Sequence, residues 1–366
     1  MINLGFFPSR RLALYMVKLF LTRSFAVLFA LVLVLMTLDL LGEAGKILAV
    51  PGNGDAALWH YVALRVPLLV SRFLPFAVLL GTLIAFVGLN QHSEVVAMKA
   101  AGMSAHQILA PLIVASIGIS AALFAFNEGV VVNSARHVTA WSDNDYKPIP
   151  PASGVLSNVW LLQGDDLVRA GIVTGRGSRM VLHSVSIYDR SGGILQRVIN
   201  APRAVPAPGG GWLLKDVQSY DANMNVVRHV PELKALTGIK PDQFTLARVD
   251  PTELDYWTLK ARIAELEAAG RPTDEARAGL AHKLSQPLSI LLMPLLAAVA
   301  AFGLARSGQV LVRASLGMGL GFAYFVADNF SLAMGNAGAY PPMVAAWAPF
   351  LLFLLIGEAV LVRTEE

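Results

Sequence analysis

The sequence contains no cysteine, which excludes disulfide bonds, cysteine-ligated zinc sites and thiol catalysis. Charged residues are also scarce. Asp, Glu, Lys and Arg make up 15% of the 366 residues, whereas they make up about a quarter of a soluble domain. Hydrophobic residues reach 55%, which is the composition of a membrane protein. The net charge of +4 does not point to nucleic acid, because loops of membrane proteins are often rich in Lys and Arg.

The chain also lacks the common signatures of enzyme active sites. It has no GxxxxGK[ST] phosphate loop, and the nearest glycine-rich stretch, residues 175–179, lies among β-prone runs. Its seven histidines do not show HExxH or a comparable metal-ligand spacing, and no serine stands in a GxSxG setting. We therefore expect a protein that is not an enzyme and that holds no metal ion or other cofactor.

Long apolar runs are what the sequence has in abundance. A helix needs about 20 apolar residues to cross the hydrocarbon core of a bilayer. Six runs meet this requirement, three before and three after a polar stretch. They are Ser24–Leu41, Val66–Leu89, Ile108–Phe126, Leu284–Ala305, Ala314–Met334 and Met343–Val362. The predicted fold class is an α-helical membrane protein with six transmembrane helices in a 3+3 arrangement and an inserted all-β domain.

Basic residues near the ends of the spans predict their orientation, because Lys and Arg are in excess in cytoplasmic loops. The short loops on one side offer only Lys46 and Arg65. The other side would carry Arg10, Arg11, Lys18, Arg23, Lys99, Arg306, Arg313 and Arg363. We therefore expect both termini and the loop at residues 92–106 to be cytoplasmic, and the polar insert to face the periplasm or exterior.

The polar insert predicts a separate β domain. From Val155 to about Val249, short β-prone runs such as residues 181–188 alternate with clusters of Gly, Pro, Asn and Asp. An antiparallel sandwich, jelly roll or partial barrel is expected at this spacing. Between Pro251 and Gly270 the apolar residues take a helical spacing, which predicts a short connecting helix. The predicted domains are 1–127, with a helix at about 91–104, then 128–283 and 284–366.

The loop between the second and third spans is the most informative part of the chain. Ser93 is suited to cap a helix that begins at Glu94, whose carboxylate complements the helix dipole, and Gly102 can end it. A short helix outside the bilayer is suited to dock in a groove on a partner. Its apolar side, for which the sequence shows no intramolecular core, would comprise Val95, Met98 and Ala101.

The sequence of this loop is also similar to that of a known family. Residues 93–104, Ser-Glu-Val-Val-Ala-Met-Lys-Ala-Ala-Gly-Met-Ser, resemble the coupling segment of the lipopolysaccharide export permeases of the LptF/LptG family. The plan of three spans, a β domain and three spans resembles that family as well, so the similarity covers nearly the whole chain. Three further stretches, Gln286–Ser289, Gly319–Asp328 and Pro341–Pro342, are most like the LptG-type members.

The resemblance implies a function and a set of partners. Such a permease would extract lipopolysaccharide from the bacterial inner membrane and pass it to a periplasmic bridge protein for export to the outer membrane. It would pair with an LptF-type permease, bind a dimer of an LptB-type ABC ATPase and reach the bridge through its jelly-roll-like domain and an LptC-type partner. ATP would be hydrolysed on the separate ATPase. The coupling contact would involve Ser93, Glu94, Val95, Met98, Lys99, Ala101 and Gly102.

A substrate cavity between the two permeases is expected, lined here by the first and fifth spans. A carboxylate within a span is costly and is therefore a functional candidate. Related permeases often carry a basic residue in the outer half of the first span, which this chain lacks at residues 36–38. Arginines near the outer ends of other spans could bind lipid phosphate instead. The candidate lining residues are Asp39, Arg65, Arg72, Arg136, Phe322, Phe325, Asp328 and Phe330.

Two alternative functions stay open. A membrane-anchored periplasmic sensor or scaffold would bind a ligand on its β domain, but six spans exceed what anchorage needs. A proton-driven secondary transporter would show internal symmetry between its halves, and none is visible in these residues. Co-purification with an ABC ATPase would favour export, whereas proton-dependent flux by the isolated chain would favour the secondary transporter.

Overall fold

The chain divides into two compact units. The helical unit comprises residues 1–39, 66–132 and 254–366, and the β unit comprises residues 40–65 and 133–253. The computed structural model describes residues 9–148, 156–163, 165–175, 177–191, 194–208, 210–221, 226–239, 241, 244, 249–268, 271–303 and 310–363.

Six long helices correspond in order to the six predicted spans. They are α1 (Arg10–Leu48), α2 (Asp55–Gln91), α4 (Ala105–Phe126), α7 (Asp274–Ala298), α8 (Val310–Asn336) and α9 (Pro342–Arg363). Most of them extend beyond the predicted apolar runs, because the flanking polar residues also favour helix. The shorter helices whose bounds fall within the described ranges are α3 (Glu94–Ala100), α5 (Val132–Asp143) and α6 (Tyr256–Ala268). One turn of π-helix follows α4 and another follows α7, at Asn127–Val131 and Val299–Gly303.

Within the described ranges, five helical stretches are long and apolar enough to cross a membrane. They are Arg10–Leu48, Asp55–Gln91, Ala105–Asp143, Asp274–Ala301 and Pro342–Arg363. Helix α8, which matches the fifth predicted span, is not among them, so the 3+3 count of six spans stays a prediction. The predicted end of the fourth span, Ala305, lies outside the described residues. A mostly helical membrane protein with an antiparallel β domain is confirmed.

Helix α7 lies at the centre of the helical unit. In its most apolar stretch 78% of the residues are buried, compared with 17% for α1. One hydrophobic core joins all the long helices of this unit and includes Phe20, Leu79, Leu112, Leu296 and Leu361. Helix α1 therefore offers most of its apolar surface to lipid or to a partner.

The β unit is built on one six-stranded antiparallel sheet in which each strand pairs with the next along the chain. The Trp212 indole closes one part of the core, because its N–H donates to the carbonyl of Ile239 at 3.0 Å and its ring meets Phe244 edge-on. The antiparallel class is confirmed, and a jelly-roll-like arrangement stays a prediction. The strands are Leu156–Gln163, Asp166–Thr174, Val181–Ser191, Ile194–Pro206, Trp212–Asp221 and Val226–Ala235.

Candidate functional site

The helix predicted between the second and third spans is present and begins at Glu94, as expected. Ser93 does not cap it, which corrects the prediction. Ser93 has φ 59° and ψ 16°, in the left-handed region, and its side chain makes no capping hydrogen bond. A capping serine needs an extended backbone, but the connection is so short that Ser93 instead closes the last turn of α2. Its N–H donates to the carbonyl of Asn90 at 3.0 Å.

The end of α3 is formed as predicted. Gly102 has φ +84° and follows the last helical turn. Its N–H donates to the carbonyl of Lys99, and the N–H of Met103 donates to the carbonyl of Met98, which is the Schellman pattern of helix termination. The next residue, Ser104, caps α4 in a reciprocal pair with Gln107. The spacing Ser-x-x-Gln was a usable signal for this second cap.

The apolar side of α3 packs inward, contrary to the prediction that no intramolecular core covers it. Val95 and Met98 are only 4% and 8% exposed and belong to the core of the helical unit. Burying them fixes the helix against the ends of the long helices. The other residues of this segment form an exposed side, which includes Ala101 from the predicted apolar side. They are Val96, Ala97, Lys99, Ala100, Ala101 and Gly102, of which Val96 is 64% exposed.

Glu94 lies at the edge of that exposed side and is half-buried. The hydroxyl of Tyr15, on α1, donates to Glu94 Oε1 at 3.2 Å. This contact joins the first helix to α3, and nothing in the sequence spacing pointed to it. Glu94 therefore has a hydrogen-bonding partner within the chain.

Asp328 faces a neighbouring helix. Its Oδ2 lies 3.8 Å from Nε2 of His282 on α7, and the two side chains are 14% and 20% exposed. His282, Ser285 and Ser289 follow one another at helical spacing on α7, so they form a polar stripe. That spacing of three and four residues marks a polar side of α7, but it does not show that Asp328 is the residue this side meets.

The three candidate phenylalanines lie on the outer side of α8. Phe322, Phe325 and Phe330 are 62%, 36% and 56% exposed. Gly321 faces inward, because a Cβ added there would lie 2.0 Å from Cδ2 of Leu79 on α2. Asp328 and these rings therefore do not line one common site within this chain.

The remaining candidates are spread along the chain. Arg72 is exposed, and Asp39 and Arg65 are half-buried. Arg136 donates from its guanidinium to the carbonyl of Glu253 at 2.9 Å, so part of its hydrogen-bonding capacity is used within the β unit.

A cavity of about 580 Å³ in the β unit is lined in part by Lys46, the only lysine of the short outer loops predicted from the sequence. Lys46 Nζ lies 2.9 Å from Glu43 Oε1, and the hydroxyl of Tyr146 donates to Glu43 Oε2 at 2.7 Å. Asp145 and Lys147 contribute a second pair of opposite charges. The cavity is therefore balanced in charge and has no cationic excess to attract a phosphate.

A polar ring that the sequence analysis missed joins three helices of the helical unit. The Ser71 hydroxyl donates to Asn127 Oδ1 at 2.7 Å, and Asn127 Nδ2 donates to Gln286 Oε1 at 3.1 Å. Gln286 Nε2 closes the ring by donating to the carbonyl of Ser71 at 3.1 Å. Each amide thus has a partner, which apolar surroundings require.

Comparison with known proteins identifies the family. The model of the family "Lipopolysaccharide export system permease LptF/LptG" matches residues 14–363. The chain belongs to this family. The match spans both groups of long helices and the β unit, so the resemblance seen in the sequence is confirmed.

Individual relatives within the LptF/LptG family agree. The chain is 28% identical over 335 residues to "Lipopolysaccharide export system permease protein LptG" of Escherichia coli (strain K12), covering 89% of each chain. It is 24% identical over 325 residues to the protein of the same name from Haemophilus influenzae, covering 86% of this chain and 89% of the relative. The similarity to LptG-type members is thereby confirmed.

Proposed function

We propose that this chain is an LptG-type permease subunit that extracts lipopolysaccharide from the inner membrane and passes it to a periplasmic bridge for export to the outer membrane. The observation that carries this proposal is the family match over residues 14–363, together with relatives named as lipopolysaccharide export permeases over nearly their whole length. The sensor and the proton-driven transporter are not favoured by this membership.

The partners and the orientation follow from the same proposal. The chain pairs with an LptF-type permease, takes its energy from an LptB-type ATPase dimer and contacts the bridge through an LptC-type partner. Its termini and α3 face the cytoplasm, and its β unit faces the periplasm. The excess of Lys and Arg in the loops assigned to the cytoplasm supports this direction.

The coupling contact is the exposed side of α3. Val96 offers an apolar surface, and Glu94 and Lys99 offer opposite charges beside it. Ala97, Ala100 and Ala101 are small, so a partner groove can approach the helix backbone closely. Val95 and Met98 are buried in the core of the helical unit. This burial supports rigid coupling, because a displacement of α3 is then transmitted directly to the long helices.

The lipid path runs along the outer sides of α1 and α8, at the contact with the second permease. The exposed Phe322, Phe325 and Phe330 are suited to acyl chains. Asp328 does not contact the lipid in this proposal. It faces His282 and helps to hold α8 against α7. Arg72, which is exposed, is the arginine best suited to meet a lipid phosphate.

Co-purification tests the proposal directly. The full chain, expressed in its native membrane and purified in mild detergent, is expected to bring down an ABC ATPase, a second permease of the same family and bound lipopolysaccharide, all identified by mass spectrometry. Recovery of the chain without an ATPase, or proton-dependent flux by the isolated chain, would contradict it.

A further inference from the structure

A salt bridge marks the level at which two neighbouring apolar helices end. The stretch Gln107–Asn127 has no Asp, Glu, Lys or Arg, and Glu128 is the first charged residue after it. Lys283 likewise precedes an uncharged run that lasts to Ala305. Lys283 Nζ lies 3.0 Å from Glu128 Oε1. A charged pair at the shared end of two such runs marks the edge of the hydrocarbon layer.

Helix α6 begins at this same level. The other carboxylate oxygen of Glu128 accepts a hydrogen bond from the backbone N–H of Tyr256. Asp255 caps α6, because its Oδ1 accepts from the backbone N–H of Thr258 at 2.9 Å. Partial burial pushes the pKa of Asp255 upward, but hydrogen bonds from Thr258 and the backbone of this turn outweigh that effect and hold the pKa below its ordinary value. The carboxylates of Glu128 and Asp255 therefore hold the first turn of α6 at the edge of the hydrocarbon layer.

The side chain presented at this point is an exposed indole. Trp257 is 74% exposed, and the Tyr256 ring meets it edge-on with 5.2 Å between centroids. The buried side of α6 consists of Leu259, Ile263 and Leu266, so Trp257 is not needed for packing the helix. In water this ring would leave a large apolar surface exposed. At a membrane interface the ring rests against acyl chains while its N–H bonds to headgroups.

We propose that Trp257 is a membrane anchor whose indole inserts at the boundary between lipid headgroups and acyl chains. The anchor fixes the first turn of α6 at the membrane interface. The occupant of this surface is lipid, because the indole sits beside the charged pair that ends the apolar runs of α4 and α7. The inference requires only that these two helices cross a bilayer, and it is independent of the transported substrate.

Depth-dependent fluorescence quenching tests the anchor. The full chain and its Trp257→Phe variant are reconstituted in phosphatidylcholine vesicles that contain lipid brominated either near the headgroup or deep in the acyl chain. Subtracting the spectrum of the variant isolates the emission of Trp257. We expect shallow bromine to remove more of this emission than deep bromine does.

Trp160 serves as the matched control, because it is 41% exposed on a strand of the β unit, which the proposed function places outside the bilayer. The emission lost in Trp160→Phe should be quenched by aqueous acrylamide and by neither brominated lipid. The proposal is overturned if the Trp257 emission behaves like that of Trp160, if deep bromine quenches it more strongly, or if no quencher reaches it. The last result would mean that protein covers the ring.

Discussion

Asp328 lies on the helix that matches the fifth predicted span, where an ionisable side chain would need a partner, and His282 lies beside it. Asp328 Oδ2 and His282 Nε2 are 3.8 Å apart, and both side chains are largely shielded from solvent. One proton shared between them leaves the pair neutral overall, whether it rests on the imidazole or on the carboxyl group. An isolated charge would cost at least about 2.5 kcal/mol at mid-bilayer. The pair therefore makes Asp328 tolerable there and joins α8 to α7.

A double-mutant cycle measures this contact. We expect Asp328→Asn and His282→Asn each to destabilise the protein, and the double variant to be less destabilised than the sum of the two. The coupling energy should be about 0.6 kcal/mol, the average for polar contacts between membrane helices, and no more than about 1.7 kcal/mol. Unfolding of the four proteins in mixed detergent micelles gives the energies. Strict additivity of the single effects would show that the two groups do not interact.

Close approach of two helices depends on Gly81. A Cβ added there would lie 2.4 Å from the Cα of Ser24, so α1 and α2 nearly touch through their backbones. Small residues at such crossings permit dispersion contacts along both helices, which supply much of the association energy inside a membrane. Ser24 is fully buried at this crossing, although it lies on α1, the least buried of the five candidate spans.

A pair of glycine substitutions on α2 tests the crossing. Gly81→Ala should destabilise the protein by about 1–3 kcal/mol, because a methyl group must displace backbone. Gly88→Ala lies on the same helix, with nothing within 4 Å of the added Cβ. It should be neutral or stabilising by up to about 1 kcal/mol, as helix propensity favours Ala. Thermal unfolding in detergent distinguishes them, and equal effects would refute the close crossing.

Helix positions could be predicted from the sequence because apolar runs and capping signals are local. The start of α3 at Glu94 and its end before Gly102 were both predicted. The role of Ser93 was not, because it depends on how tightly α2 and α3 follow one another. The burial of Val95 and Met98 was also missed, since their neighbours come from helices distant in the chain.

Prediction from the sequence reaches the same limit for the molecule as a whole. The membrane class, the β domain and the family were predictable, because composition and motif carry them. The pairing of Asp328 with His282, the contact of Tyr15 with Glu94 and the ring around Asn127 were not. Each joins side chains that only helix packing brings together. The lining of the lipid path stays a prediction, because in this proposal it forms at a contact with a second permease.

In the proposed mechanism, ATP is hydrolysed on another subunit, and α3 transmits the motion of that subunit to the long helices. The most direct measurement is ATP-driven release of lipopolysaccharide from vesicles that contain the purified complex. It compares the unaltered chain with Glu94→Lys and with Tyr15→Phe. The second variant is the matched control, because it removes the internal hydrogen bond of Glu94 while leaving the carboxylate for a partner.

We predict that Glu94→Lys lowers release at least about tenfold, the loss expected when one charged contact worth about 1.4 kcal/mol becomes repulsive, with the ATPase bound less tightly and the chain still folded. Tyr15→Phe should release lipopolysaccharide at nearly the original rate. Undiminished ATP-driven release in Glu94→Lys would contradict the account, and so would an equal loss in both variants, which would assign Glu94 a purely internal role.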